Sequence, residues 1–255
     1  SAGSVAGNIV DNASLVINRA SNWTYAGTIS GTGSVTKADS VSTTVTGNWI
    51  HTGGTTISAG TLVVGNASTA GWVSGNIVDN AALEFNRSDN VGFTGLISGT
   101  GTVNKKGAGT LTLTGSAMNT GMTYVTAGTY QIGNGGTLGW AAGNITNNSQ
   151  LVFNRSDNVS YGGVLSGTGG TTKLGAGALY LTGSNTSTGT MTVSAGTLVV
   201  GDGGTAGSMT GNIVNSGSLI FNRSDSSTYP GAISGSGTLT KRGAGTLILT
   251  GASAP

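Results

Sequence analysis

Arginine and aspartate recur together along this chain in the order Asn-Arg-Ser-Asp. The segment begins at Asn86, Asn154 and Asn222, and a weaker form, Asn-Arg-Ala-Ser, begins at Asn18. A guanidinium group forms paired hydrogen bonds with planar anions, so regularly spaced arginines can hold a repeating anionic or glycan ligand. This pattern predicts a ligand-contact edge formed by Arg19, Arg87, Arg155, Arg223, Asp89, Asp157 and Asp225.

The same segment also has a purely structural interpretation. Asparagine and aspartate are favoured at tight corners, where their side chains bond to the turn backbone. In this interpretation the asparagine turns the corner, the arginine caps carbonyl groups and the aspartate accepts from turn amides. The sequence favours this structural role over ligand contact and leaves both open.

Residues for catalysis or metal binding are sparse. A Ser-His-Asp arrangement needs a base, and His51 is the single histidine. Glycosidases need two carboxylates about 5 to 10 Å apart, whereas Glu84 is the single glutamate. The calcium-binding order Gly-Gly-x-Gly-x-Asp is also missing, because two glycines follow Asp202 instead of preceding it. We therefore expect no enzyme active site, no metal site and no cofactor.

A repeat of 68 residues without insertions must position these residues. Gly7-Asn8-Ile9 returns at Gly75, Gly143 and Gly211. We number the copies 1 to 4, covering residues 7–74, 75–142, 143–210 and, incompletely, 211–255. Gap-free copies of this kind stack on identical neighbours. We expect residues 1–255 to form one elongated solenoid domain.

Short strands are the predicted elements. Apolar residues alternate with polar ones in bursts of three to five, separated by Gly, Asn, Ser and Asp, and no helical period persists. The predicted class is therefore an all-β parallel β-helix. Division of each copy into three coils of about 23 residues would place successive arginines about 14 Å apart along one edge.

Comparison of the copies separates inward from outward positions. Leu83 and Phe85 keep an apolar character in every copy and should point inward, whereas the position of Glu84 should face water. Outward apolar residues could support pairing between molecules, which predicts self-association. Those residues are Val16, Val63, Val152, Val199 and Ile220.

Composition excludes several classes. The chain has 255 residues with 48 Gly, 2 Pro, no Cys, 7% charged residues and a net charge of +2. A charge this small makes nucleic acid an unexpected partner. Without cysteine there is no disulfide framework. No apolar run approaches the roughly 18 residues needed to cross a bilayer as a helix.

Residues 173–185, with Thr188-Gly189 and residues 193–198, resemble the passenger-associated repeat of bacterial autotransporters. Similar copies occupy residues 105–130 and 241–251. Copy 1 departs, with Ala38-Asp39-Ser40-Val41 where the others have Gly-Ala-Gly, so we expect its corner to be built differently. The resemblance implies a right-handed β-helix and a fragment of a longer type V secretion passenger of the AIDA-like adhesin type. It also implies a location at the cell surface or outside the cell, and a C-terminal outer-membrane β-barrel in the full-length protein.

These observations together predict a non-enzymatic surface segment that acts as an adhesin, an autoaggregation module or a stalk. Its partners would be a host surface or matrix protein, a host glycan or a second copy of the chain. Two alternatives remain open. The segment could be the stalk of a secreted enzyme or toxin whose active domain lies outside residues 1–255, or it could be a soluble ligand for a host receptor.

Overall fold

A computed structural model describes residues 5–252, which consist of β-strands joined by turns. The chain divides into two compact units between Thr129 and Tyr130. The strands of the N-terminal unit are β1 (Ile9–Val10), β2 (Ser14–Ile17), β3 (Trp23–Tyr25), β4 (Ile29–Ser30), β5 (Ser34–Lys37), β6 (Ser42–Val45), β7 (Asn48–Trp49), β8 (Thr55–Ile57), β9 (Thr61–Ser68), β10 (Trp72–Val73), β11 (Ile77–Asp79), β12 (Ala82–Arg87), β13 (Val91–Phe93), β14 (Leu96–Ser98), β15 (Thr102–Lys105), β16 (Thr110–Leu113), β17 (Ser116–Ala117) and β18 (Thr123–Val125).

The remaining strands start with β19, which contains the division between the two units. They are β19 (Thr129–Ile132), β20 (Trp140–Ala141), β21 (Ile145–Asn147), β22 (Gln150–Phe153), β23 (Val159–Tyr161), β24 (Leu165–Ser166), β25 (Gly170–Lys173), β26 (Ala178–Leu181), β27 (Met191–Val193), β28 (Thr197–Val200), β29 (Ile213–Asn215), β30 (Ser218–Asn222), β31 (Ser227–Tyr229), β32 (Ile233–Ser234), β33 (Thr238–Arg242) and β34 (Leu247–Leu249). In residues 5–252 no helix is long and apolar enough to span a membrane.

In the N-terminal unit the chain winds through three faces, and each strand except β10 pairs in parallel with its counterpart one coil later within the unit. Face 1 contains β1-β4-β7-β10 and then β13-β16, face 2 contains β2-β5-β8-β11-β14-β17, and face 3 contains β3-β6-β9-β12-β15-β18. The C-terminal unit has parallel sheets β22-β25-β27-β29-β32 and β23-β26-β28-β30-β33, with the pairs β21-β24 and β31-β34. The predicted all-β, parallel β-helical class is confirmed.

The prediction of three 23-residue coils in each copy is wrong. Most paired residues are 20 apart, as where Leu15 lies beside Val35 and Val35 beside Thr55. Copy 1 therefore contains ten strands, β1 to β10, which is three full coils and one further strand. As a result β1 lies on face 1 while its counterpart in copy 2, β11, lies on face 2. That residues 1–255 form one domain of four copies stays a prediction.

Asparagine side chains connect successive coils. The side-chain oxygen of Asn8 accepts the backbone N–H of Thr28, which is 20 residues later at the same corner of the next coil. This bond satisfies a turn amide that no strand partner reaches. The asparagines that make it are Asn8, Asn12, Asn22, Asn76, Asn80, Asn90, Asn144, Asn148, Asn158 and Asn212.

The interior is filled by the predicted inward positions. Leu83 and Phe85 are buried, and the rings of Phe85 and Phe93 pack edge to face with centroids 5.7 Å apart. The side chain of Glu84, which was predicted to face water, is only 15% exposed, and its carboxylate lies 3.6 Å from the ammonium group of the exposed Lys106. The prediction that Val199 and Ile220 are exposed is wrong, because both are buried.

Candidate functional site

Each Asn-Arg-Ser-Asp segment forms a clamp at the corner after a strand. The guanidinium of Arg155 donates from Nε to Oδ1 of Asp157 at 2.8 Å and from Nη2 to Oδ2 at 2.7 Å. Arg87 with Asp89 and Arg223 with Asp225 repeat this geometry at 2.9 and 2.7 Å. In each clamp the hydrogen bonds from the guanidinium hold the pKa of the aspartate below its usual range. The clamp is therefore a neutral, bidentate ion pair.

The other side of each guanidinium holds a loop from the preceding coil. Nη1 of Arg87 donates to the carbonyl oxygen of Gly71, and Nη2 donates to that of Thr69. Arg155 and Arg223 bond in the same way to Gly139 and Gly207. These acceptors end the segments 65–71, 133–139 and 201–207, which we call the clamped loops. Each clamped loop begins and ends with a glycine at positive φ, a conformation that favours glycine over residues with a Cβ.

The clamp interrupts the sheet. In the regular ladder a carbonyl oxygen accepts the amide of a residue about one coil later, as Ile29 accepts from Ile50 at 2.7 Å. The carbonyl of Gly71 accepts from Arg87 instead, and β10 and β13 belong to separate sheets although they occupy successive coils of face 1. The strands β20 and β23 are likewise in separate sheets. Each of these breaks therefore accompanies a clamp.

The predicted arrangement of the arginines on one edge is wrong. In the N-terminal unit Arg19 follows β2 on face 2, whereas Arg87 ends β12 on face 3. In the C-terminal unit Arg155 follows β22 and Arg223 follows β30, which belong to different sheets. In the N-terminal unit the cause is the tenth strand of copy 1, which places β11, the counterpart of β1, on the next face.

Exposure of the clamps decides what a ligand could reach. The side chains of Arg87, Arg155 and Arg223 are 11, 11 and 15% exposed, and the paired aspartates are 33, 37 and 40% exposed. A ligand would therefore meet carboxylate oxygen before guanidinium. In the weaker first copy the guanidinium of Arg19 lies 4.9 Å from the centre of the Trp23 ring. Ligand contact by these seven residues stays a prediction.

We expect Arg155→Met to lower the free energy of unfolding by about 2 kcal/mol, because the carbonyl of Gly139 and the carboxylate of Asp157 lose their partner. The clamped loop 133–139 should also become sensitive to protease. Urea unfolding and limited proteolysis measure the two effects. The exposed Arg242 offers a matched control, and Arg242→Met should change neither quantity. Equal effects of the two substitutions would contradict the clamp.

A buried lysine caps carbonyl groups at the Gly-Ala-Gly corner. The sequence did not lead us to predict this role. The ammonium group of Lys105 donates to the carbonyl oxygen of Ala127 at 3.0 Å and to that of Gly107, and Lys173 bonds in the same way to Ala195 and Gly175. Burial lowers the pKa of Lys105 to about 8 and also lowers that of Lys173. The sequence signal that could have predicted this role is a lysine at a strand position that faces inward.

The predicted difference at the first corner is confirmed. There the ammonium group of Lys37 lies 2.8 Å from Oδ1 of Asp39 and from the carbonyl oxygens of Asp39 and Ala59. The other carboxylate oxygen, Oδ2, accepts the backbone N–H of Arg19 at 3.0 Å. A buried ion pair thus replaces the Gly-Ala-Gly corner in copy 1.

His51 is buried in a corner, with Nε2 3.1 Å from both the carbonyl oxygen of Gly54 and the hydroxyl oxygen of Thr55. Burial lowers the pKa of His51, although the charge of Asp11 acts to raise it. Because Thr55 is buried as well, this pair is closed to substrate. Within residues 5–252 no group of three or more His, Cys, Asp or Glu residues could hold a metal ion.

One position of the repeat carries a buried carboxylate or amide in each copy: Asp11, Asp79, Asn147 and Asn215. Asn147 and Asn215 donate from Nδ2 to the carbonyl oxygens of Gly170 and Thr238, at 2.8 and 2.9 Å. Asp79 occupies the same position in copy 2, and its Oδ2 is buried without a hydrogen-bond partner. Burial raises the pKa of Asp79 to about 6. Copies 1 and 2 thus carry an acid, Asp11 and Asp79, where copies 3 and 4 carry an amide that donates.

Comparison with known proteins agrees with these repeats. A family model described as the passenger-associated-transport-repeat matches residues 35–64, 103–138, 172–200 and 239–254. Over 89 residues the chain is 45% identical to the adhesin BmaC autotransporter of Brucella suis biovar 1 (strain 1330). That match covers 35% of this chain and 3% of the relative, so the chain matches a small part of that protein's length. No solved structure matches.

Proposed function

Since this chain is an autotransporter passenger segment built of passenger-associated repeats, and is displayed at the cell surface or secreted, we propose that it is a non-enzymatic adhesin module. The observation that carries this proposal is the engagement of the reactive side chains in corner structure. The arginines clamp loops, Lys105 and Lys173 cap buried carbonyl groups, and His51 is closed to solvent. The side chains left at the surface can therefore contact a binding partner but have no catalytic role.

The relative named as an adhesin supports the same proposal. The full-length protein would carry the outer-membrane β-barrel that autotransporter passengers use for export, and the segment would hold its binding surfaces outside the cell. Host surface proteins, matrix proteins and glycans are the proposed partners. The AIDA-like subtype remains part of the proposal.

A second candidate, self-association, is favoured by apolar residues on outward positions of the N-terminal unit. Val10, Val16 and Ile50 are all more than half exposed. Exposed apolar residues favour pairing of two surfaces because contact removes them from water. Sedimentation of the purified chain over a wide concentration range tests this candidate, which predicts a dimer or larger assembly.

Beads coated with the chain test adhesion. We expect them to bind host cells or immobilised matrix proteins, while beads coated with an unrelated protein of similar charge do not. The triple variant Arg87→Ala, Arg155→Ala, Arg223→Ala tests ligand contact by the clamps, and adhesion equal to that of the parent would remove the role of these arginines in ligand contact. Beads that bind no cell and no matrix protein would count against the adhesin and favour a stalk. A soluble chain that saturates one host receptor would favour the ligand alternative.

A further inference from the structure

A groove of about 620 Å³ lies in the N-terminal unit at the sheet break between β10 and β13. Its lining includes Asn48, Ile50, Thr69, Trp72 and Val91. We propose that this groove binds a neutral oligosaccharide. The proposal rests on the adhesin function and specifies one of its surfaces. The volume lies within the range of small-molecule sites, roughly 300 to 1,000 Å³.

The groove exists because of the clamp. Arg87 takes the carbonyl oxygens of Gly71 and Thr69, so β13 does not continue the ladder of β10. Trp72 lies at this break, half-buried, and its ring packs edge to face against Phe93 with centroids 6.0 Å apart. The contact fixes an indole ring in a position that solvent still reaches. A fixed aromatic ring can pack against the C–H face of a pyranose ring.

The polar groups of the groove suit hydroxyl and acetamido groups. Asn48 is exposed and offers both a donor and an acceptor, and the exposed Thr69 adds a hydroxyl to the lining. Arg87 is the charged member of the lining, and Asp89 neutralises it at 2.7 Å. Because the groove has no uncompensated charge, it favours a neutral sugar over a sialylated or sulfated one.

The chain contains an internal comparison. Two copies later, the position of Trp72 is occupied by Ser208, beside the clamp of Arg223. The cavity there, in the C-terminal unit, is about 20 Å³. The clamp of Arg223, where serine takes this position, therefore leaves no space for a sugar ring. The clamp of Arg155 carries Trp140 at the same position, and the proposal concerns the groove at Trp72 alone.

Saturation-transfer NMR with triacetylchitotriose, cellotriose and lacto-N-tetraose tests the proposal on the intact chain. We expect at least one sugar to bind and to perturb tryptophan fluorescence. Trp72→Ala should weaken binding at least about tenfold. Asn48→Ala removes an exposed side chain, so it should weaken binding without unfolding the chain. Ser208→Ala is the matched control and should leave binding unchanged, and thermal unfolding followed by circular dichroism checks each variant.

Three results would overturn the site: no binding of any neutral sugar, equal binding by wild type and both groove variants, or preference for sialyllactose or a proline-rich peptide. The outcome is separable from that of the adhesin proposal. Undiminished cell adhesion by a Trp72→Ala variant that has lost sugar binding keeps the groove as a sugar site but assigns adhesion to another surface. If the chain binds sugar but adheres to no cell, the proposal of a sugar site stands and the proposal of an adhesin is contradicted.

Discussion

Replacing Asp79 by asparagine is expected to raise the free energy of unfolding at pH 7 by about 3 kcal/mol. The carboxylate is buried, its Oδ1 accepts the backbone N–H of Ala81 at 3.1 Å, and its Oδ2 has no partner. At the equivalent position Asn147 accepts the N–H of Ser149 with the same geometry and also donates to the carbonyl of Gly170. The substitution would introduce the missing donor and remove a buried charge.

The pH dependence of stability is a second test of the predicted stabilisation by Asp79→Asn. Burial raises the pKa of Asp79 from 3.8 to about 6, so the folded chain binds the proton more tightly than the unfolded chain. Its contribution to stability is therefore fully present below about pH 4 and is lost as the pH rises through 6. The difference in stability between variant and parent should grow over that interval and then level off. Urea unfolding at several pH values measures this difference.

Two controls accompany this prediction. The reciprocal change Asn147→Asp should destabilise the chain at pH 7 by a similar amount, whereas Asp202→Asn, at an exposed residue, should have little effect. If the stabilisation by Asp79→Asn were the same at pH 4 and pH 7, the buried carboxylate would not be its cause.

Replacing Gly177 by alanine is expected to lower the free energy of unfolding by about 3 kcal/mol or more. A Cβ at this corner would lie 1.9 Å from the carbonyl oxygen of Asp157 in the preceding coil. Backbone cannot yield as a flexible side chain can, and the clamp of Arg155 holds that carbonyl's residue in place. The corner of one repeat is thus packed directly on the clamp of the coil below it.

Gly162 provides the matched control for this substitution. A Cβ there would lie 3.5 Å from the hydroxyl of Thr182, an ordinary contact, and its φ is not positive. Gly162→Ala should therefore change stability by less than about 1 kcal/mol. Thermal and urea unfolding compare the two variants. A Gly177→Ala chain as stable as Gly162→Ala would show that the corner can move away from the clamp.

Much of the fold was predictable from the repeat. The alternation of Leu83, Glu84 and Phe85 indicates which side chains point inward, because successive residues of a strand face opposite ways. The coil length was not predictable from the 68-residue repeat. The repeat length shows that the copies are equivalent, but it does not show how many strands each copy contains. The asparagines that bond to an amide 20 residues later would have indicated the coil length. Their bonds join successive coils, so they are visible only in the folded chain.

The sequence by itself determined the all-β parallel class, the inward columns and the conserved chemistry of the corners, because these depend on side-chain polarity and turn preference along a few residues. Only the tertiary structure decided what Arg87 does. Its partner Gly71 lies 16 residues earlier, and the contact exists because two coils bring those atoms together. The same stacking places β11 one face away from β1, breaks the sheet beside Trp72 and leaves Oδ2 of Asp79 without a hydrogen-bond partner.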